Sequence, residues 1–354
     1  MFDTFSVGKF VATDVGLRSF HSLNPTLLCL SPSATLGISK MLDVLTFYSN
    51  KFRKLRIDRA RGNLAPHKPL LLLAVIDLIE QGAILENKIE PSPLIVESFL
   101  KYWNLLSLEK PRIYLPFYHL KSDKFWHLHA KIGQENLFAL ISQFKSISQL
   151  ASIIAFANLD EDLFLLLHNP EAREVLRNTI IETFFPDKTE LFRAVIAKDQ
   201  EINVIENLLL ENAGKKNFDS SKIVVDVKKR EKAFSRAIMR LYDYTCAACH
   251  YRIVTLNGES AVDAAHIFPF KDSFDNSIGN GISLCKLHYW SFDRGLFSID
   301  DNYKIVVATT FSESGNENFS LYKLQAKLIF LPKEKLFCPS IIMLRWHRKN
   351  LFSK

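Results

Sequence analysis

Two short pairs of metal-ligating residues constrain this chain more than anything else in it. "CAACH" sets Cys246 and Cys249 two residues apart, and "LCKLH" does the same for Cys285 and His288. A two-residue loop lets both members of a pair face one ion. Two such pairs match a closed tetrahedral zinc site with three thiolates and one imidazole. A lone pair would compete with a redox motif, and small buried residues at accidental spacing are the plain alternative. The second pair favours structural zinc. The chain has five cysteines in 354 residues, too few for a disulfide framework. Cys29 and Cys338 stand alone.

Between the pairs lies "AVDAAHIFPFKDSFDNSIGNGISLC". "SAVDAAHIF" alternates as a strand does, a Gly/Asn/Asp-rich loop follows, and "NGISLC" is a second short strand. A helix is predicted from about Lys286. The unit is strand–loop–strand–helix, with His266 near the end of the first strand, Asn280 opening the second, and zinc pinning the ends.

The set "DAAHI…NGISLCKLHYWSFDRGLFSID" resembles the HNH endonucleases, whose ββα-metal fold cuts nucleic acid. The resemblance covers roughly Ala233 to Asp301. It implies that His266 is the general base, since a neutral imidazole can take a proton from water near neutral pH. Asn280 would then fix the loop and the imidazole through its amide. A single divalent ion, Mg²⁺ or Mn²⁺, would polarise the phosphate and hold the leaving oxygen, apart from the structural Zn²⁺. In this family a third histidine falls at position 289, where this chain has Tyr289. Asp293 lies one helical turn on, at i+4, and is a hard-oxygen ligand for such an ion. The position just before the base, often a ligand, is Ala265. Asp263 shares its strand face and is a weaker candidate. The Tyr289 phenol could donate to a phosphate oxygen, or bind metal if ionised, although its ordinary pKa is about 10.

"FRKLRIDRARGNLAPHKPLLLLAVIDLI" and "YLPFYHLKSDKFWHL" resemble the DNA sulfur-binding domain of modification-dependent (type IV) restriction endonucleases. That resemblance implies recognition of phosphorothioate DNA, in which sulfur replaces a non-bridging phosphate oxygen. Candidates for an apolar cup around the sulfur are Tyr114, Leu115, Pro116 and Phe117. Candidates for a basic rim are Arg59, Arg61, His67 and Lys68. The family often shows Tyr-Pro at the cup, whereas this chain has Leu115-Pro116. The bland reading makes Pro66 a helix start and the aromatics core.

Around these motifs the chain reads as an α+β protein. Residues 1–40 are expected to be an extension, with Met41 a candidate start. Residues 41–186 are a mainly helical DNA-reading domain, 187–224 a polar linker with a short helix at 199–212, and 225–354 the zinc-stabilised HNH domain. Two local patterns support the helical reading, and a third reads as strand. "APHKPLLLLAVIDLIEQGAI" has an early proline and Gly82 near its end. Asn169 and Pro170 open a further helix. "YLPFYHLKSDKFWHL" reads as two aromatic strands around a turn at Lys121–Lys124.

The longest apolar run, Pro69–Glu80, contains Asp77 and falls short of the ~20 residues that span a bilayer. The first residues lack the features of a secretory signal. The expectation is a cytoplasmic protein without a membrane partner. A net charge of +7 favours double-stranded DNA as partner. The basic run Lys228–Arg240 offers Lys229, Arg230 and Arg236 as phosphate contacts. Its rival is an ordinary solvated helix face. Symmetric cutting of both strands would call for a homodimer, but no dimer seam is legible. Two rival functions stay open: a modified-DNA-binding protein with an inactive HNH unit, and an HNH nuclease for unmodified or otherwise modified DNA.

Overall fold

A computed structural model describes residues 32–57, 65–106, 111–215, 218–223, 226–255 and 259–352. Helix α1 (Pro32–Arg53) runs through Met41, and the earlier part of the expected extension lies outside the described residues.

α2 (His67–Glu80) is the hub of the N-terminal half. Every residue from Lys68 to Ile79 is buried. A helix apolar on all sides belongs in the middle of a bundle. It follows Pro66 and ends before Gly82, whose φ of +65° is the left-handed stop that glycine adopts freely. Then come α3 (Pro93–Leu105), α4 (Tyr114–His119), β1 (Trp126–Ala130), α5 (Glu135–Leu140), α6 (Ile147–Ile153), β2 (Ile154–Leu159), α7 (Glu161–His168) and α8 (Pro170–Phe184). α3, α4, α7 and α8 pack on α2, and α1 packs on α7 and α8. Asn169 caps α8 by accepting from the Ala172 amide at 2.9 Å. Asp77 is the one acid in the α2 interior. It accepts from the Tyr102 hydroxyl at 2.6 Å and pairs with Lys101 and Arg177. A buried charge persists only when paired in this way.

Two expectations are corrected. Residues 114–128 are not two strands. Tyr114–His119 is helical, a 3₁₀ turn follows, and only Trp126–Ala130 is a strand, which pairs antiparallel with β2. Pro116 has no N–H for a ladder, and the helical turn carries Phe117 and Leu120 into the core. The greater part of the expected 187–224 linker is not a loose tether either. α9 (Thr189–Glu211) is a continuous helix of 23 residues. Phe192 and Ile196 join the first core, while Ile202, Ile205 and Leu209 join the second. The spacing jumps between Ile196 and Ile202, where the helix passes from one core to the other. There Asp199 meets Lys101 at 2.6 Å and Gln200 donates to Glu80 at 3.1 Å.

The C-terminal half holds α10 (Val227–Leu241), β3 (Val262–His266), α11 (Phe270–Ser273), β4 (Gly281–Cys285), α12 (Lys286–Asp293), β5 (Phe297–Ile299), β6 (Ile305–Val307) and α13 (Ile341–Asn350). β3 and β4 are antiparallel, with His266 opposite Gly281 and Val262 opposite Cys285. This is the expected strand–loop–strand–helix unit, and the chain as a whole is α+β. α10 packs on the hairpin so closely that a Cβ at Gly281 would stand 2.3 Å from Ile238 Cδ1. The glycine of "FDRG", Gly295, has φ +67° and lies against the Leu351 carbonyl, where a Cβ would meet oxygen at 1.9 Å. Among the described residues no helix is long and apolar enough to cross a membrane.

Candidate functional site

The sequence places the four zinc candidates on two different kinds of local structure, and the fold brings them together. Cys246 and Cys249 lie in a knuckle after α10, held beside β4 by a 2.8 Å bond from the Ala247 amide to the Ser283 carbonyl. Cys285 ends β4, and His288 sits in the first turn of α12. All four ligand atoms lie within 4.8 Å of one another. His288 Nδ1 is 3.0 Å from Cys285 Sγ and 3.5 Å from Cys246 Sγ. Tetrahedral zinc bonds of ~2.0–2.3 Å put neighbouring ligands roughly 3.5–3.8 Å apart. The donor set therefore fits zinc. Burial opposes a charge on His288, but the sulfurs of Cys249 and Cys285 outweigh it and push the imidazole up to about 9. Such a cluster attracts a cation. Among the described residues it is the one group of three or more His, Cys, Asp or Glu that could share an ion.

His266 stands at the end of β3, half-buried. Its ring stacks on Phe234 of α10 at 4.2 Å and 9°, and Phe270 lies at 5.3 Å. Nε2 is 2.9 Å from Asn276 Oδ1. Burial lowers its pKa, against the opposing pull of Asn276, Asp275 and Glu231. The imidazole is therefore neutral at neutral pH, the form in which it can accept a proton.

Asn280 is fully buried and clamps the loop between the strands. Its Oδ1 accepts from the Phe268 amide at 2.7 Å, and its Nδ2 donates to the carbonyls of Phe268 and Asp275 at 3.1 and 3.0 Å. The expected loop contact is thus present. The expected contact with the imidazole belongs instead to Asn276, which the sequence reading passed over. The loop is rich in Asn and Asp, and nothing local singles out one amide.

Tyr289 and Asp293 sit one turn apart on α12. Burial raises the Tyr289 phenol, and the charges of Asp293 and Asp263 raise it further. Both carboxylates therefore lie within electrostatic reach of that phenol. Burial also raises Asp293, and Arg294 opposes this. Asp263 is not free, because Lys286 pairs with it. His266, Asp263 and Asp293 do not form a three-donor group among the described residues. A catalytic ion here would rely on one or two carboxylates, with phosphate and water completing its oxygen shell. Mg²⁺ tolerates such an arrangement.

The DNA-reading candidates divide. Arg59 and Arg61 lie outside the described residues. His67 opens α2, half-buried, with its ring 4.7 Å from Trp103. Burial and then Arg112 lower its pKa. Lys68 is buried and engaged by Asp123 at 2.6 Å and Ser122 at 3.1 Å, so it is not a rim cation. Pro116 and Phe117 are buried. Phe117 packs edge-on against Trp126 at 5.2 Å, and its carbonyl accepts from the indole N–H at 2.8 Å. Both belong to the core and not to a cup. Tyr114 and Leu115 keep partial exposure. Tyr114 shares a cavity of about 200 Å³ with Phe99, Leu100, Pro111 and Ile113, with Lys145 among its lining residues. Pro111 and Lys145 carried no signal in the sequence.

The basic run on α10 is also corrected. Arg230 is buried and donates to the carbonyls of Ser220 and Ser221 at 3.0 and 3.1 Å. Arg236 pairs with Glu206 and bonds Asn203, and Lys229 pairs with Glu201. Lys229 and Arg236 thus face α9, while Arg230 faces the segment at Ser220. Arg230 and Arg236 are not available to phosphate. In the tail, Arg345 and Arg348 both pair with Asp301.

Comparison with known proteins follows this division. Residues 246–300, which hold the quartet, His266 and Asn280, match the HNH endonuclease family. Residues 47–199 match the ScoMcrA-like DNA sulfur-binding domain. No curated protein matches the chain. A solved structure described as "Modification dependent TagI restriction endonuclease" is similar at 20% identity, covering 33% of this chain and 37% of that one. Its TM-score of 0.26 is too low to bear on the fold. The chain spans little more than a third of that neighbour's length. On the two domain matches, the chain joins a ScoMcrA-like DNA sulfur-binding domain to a C-terminal HNH endonuclease domain.

Proposed function

We propose that the chain is a modification-dependent restriction endonuclease, which binds phosphorothioated duplex DNA through its N-terminal domain and hydrolyses the backbone with its HNH domain. One observation carries the nuclease reading. A half-buried imidazole, His266, is kept neutral at the end of β3 inside the segment that matches the HNH family. In this reading His266 takes the proton of the attacking water, and Asn280 keeps the loop around it in place. Asp293, with Asp263 and the Tyr289 phenol beside it, would hold Mg²⁺ or Mn²⁺. That ion supplies charge neutralisation at the phosphate and the leaving oxygen. Zn²⁺ in the quartet would fasten α12 to the hairpin and so set the distance between the two sides of the site.

The N-terminal match supports a sulfur reader. Sulfur is larger and less strongly hydrated than oxygen, so an apolar recess desolvates it at little cost. An ordinary phosphate oxygen there would lose its water without replacement. The cavity at Pro111 and Tyr114 has that character, with Lys145 in its lining for the remaining phosphate charge. α9 packs on both cores, so the cut falls at a set offset from the mark. A cytoplasmic site of action follows from such a substrate.

A second reading, a DNA-binding protein that no longer cuts, is favoured by Tyr289 at the histidine position and by Lys286 on Asp263. Nicking of a plasmid with and without phosphorothioates, in Mg²⁺ or Mn²⁺, separates the readings. Metal-dependent cleavage by wild type that disappears in His266→Ala is expected. Binding without cleavage selects the second reading, and equal affinity for both plasmids removes the sulfur specificity. If Tyr289 weakens the metal site without abolishing it, Tyr289→His should lower the metal concentration needed for half-maximal nicking.

A further inference from the structure

Asn276 is fully buried, and its Oδ1 is 2.9 Å from His266 Nε2. Its own Nδ2 has no hydrogen-bond partner among the described residues. The rest of Asn276 is held from outside the hairpin. Its backbone N–H donates at 2.7 Å to the hydroxyl of Ser220, a residue 56 positions earlier. That hydroxyl in turn donates at 2.8 Å to Asp275. Ser220 is itself fully buried, and its carbonyl accepts from Arg230. A buried chain of contacts thus runs from α10 through the segment between the domains to the imidazole.

We propose that Asn276 is a positioning residue that holds His266 in the Nε2–H tautomer, and that the interdomain segment at Ser220 holds Asn276 in register. The reasoning rests on His266 being the base. Nε2 faces Asn276 whichever way the amide is turned, so only Nδ1 is left to meet water. If Asn276 offered its Nδ2, then Nε2 would be the acceptor, Nδ1 would carry the proton, and no basic nitrogen would remain. With Oδ1 facing the ring, Nε2–H donates before and after Nδ1 takes a proton. The positive charge that forms on the ring then meets an acceptor already in place. Phe234 at 4.2 Å prevents the ring from tipping out of this alignment. The segment between the two domains is thereby part of the cutting site's support.

The test is long-range ¹H–¹⁵N NMR of the full-length, zinc-loaded chain carrying ¹⁵N-histidine, with the His266 signal assigned by its loss in His266→Ala. Wild type should show His266 as the Nε2–H tautomer. Asn276→Ala should give mixed tautomers and a nicking rate lower by about 10–100-fold, a loss below the ~10²–10⁴-fold that acid–base catalysis contributes, because the imidazole itself stays in place. Asn276→Asp, which can only accept, should restore the tautomer and most of the rate. Ser220→Ala should broaden the tautomer signal and slow nicking less than Asn276→Ala does. A wild-type His266 with its proton on Nδ1, or an Asn276→Ala chain with unchanged tautomer, overturns the proposal. An Nε2–H tautomer that responds to Asn276 while no form of the protein nicks DNA would support the positioning role and defeat the nuclease reading instead.

Discussion

A second buried imidazole in the C-terminal half gives the sharpest prediction for stability. His347 of α13 is fully buried against β5 and the end of α12. Its Nδ1 accepts from Ser298 Oγ at 2.8 Å, its Nε2–H donates to the Phe292 carbonyl at 3.1 Å, and its ring stacks on Phe292 at 3.8 Å. Both nitrogens are satisfied with the ring neutral. Burial, and to a lesser degree Arg348, pull its pKa from 6.5 to about 4, against the Phe292 carbonyl. The unfolded chain, with an ordinary value of about 6.5, binds this proton when the folded chain does not. Its contribution to stability is therefore complete above about pH 6.5 and is lost as pH falls toward 4. A gap of about 2.5 units makes the loss between pH 7.5 and pH 5 roughly 2 kcal/mol, approaching ~3.4 kcal/mol below pH 4. His347→Phe keeps the stack but strands Ser298 and a carbonyl, so it should be less stable at pH 7.5 by about 1–3 kcal/mol. It should lack this acid sensitivity. Urea unfolding of both proteins at the two pH values gives a difference of differences, in which acid effects on the cysteine quartet cancel. Wild type should lose about 2 kcal/mol more than the variant over that interval. Equal losses would refute the claim that His347 is buried in its neutral form. α12 carries Tyr289 and Asp293, so its anchor also matters to the site.

Two further perturbations probe the same half. Gly281→Ala should destabilise the chain by about 1–3 kcal/mol through overpacking on Ile238, as measured by chemical unfolding. Combining it with Ile238→Val should recover part of that loss, and no recovery would show that the clash lies elsewhere. Stripping zinc with a strong chelator, or Cys285→Ser, should lower the melting temperature of the C-terminal half and abolish nicking. Binding to phosphorothioated DNA should survive, because none of the quartet lies within residues 47–199. Simultaneous loss of DNA binding would mean that the two halves do not fold separately.

How much of this was legible in the sequence depended on the distance over which each feature is encoded. The quartet, the His266 strand, the Asn280 turn and the α12 helix follow from ligand spacing, alternation and i+4 periodicity, which are local, and the structure brings the four zinc candidates together. Misreadings arose where composition stood in for direction. Lys229, Arg230 and Arg236 look like a basic face, but charge count does not say that α10 turns Lys229 and Arg236 toward α9 and Arg230 toward the Ser220 segment. The polar stretch after Phe185 looks like a tether because its apolar residues serve two cores, so neither period is complete. Phe117 and Pro116 look like a cup because aromatic and proline side chains suit a surface recess and a core equally well.

Sequence by itself determined the four zinc candidates and the strand–loop–strand–helix order around them, and the motif there carried the resemblance that makes His266 the base candidate, since each is written within a few residues. Only the tertiary structure decided which amide meets His266, which cations are buried and where an apolar recess opens. Those contacts join residues tens of positions apart, as Ser220 and Asn276 are. No local pattern specifies them, because they form only when separate elements pack and a buried polar group must take whatever partner the fold brings within reach.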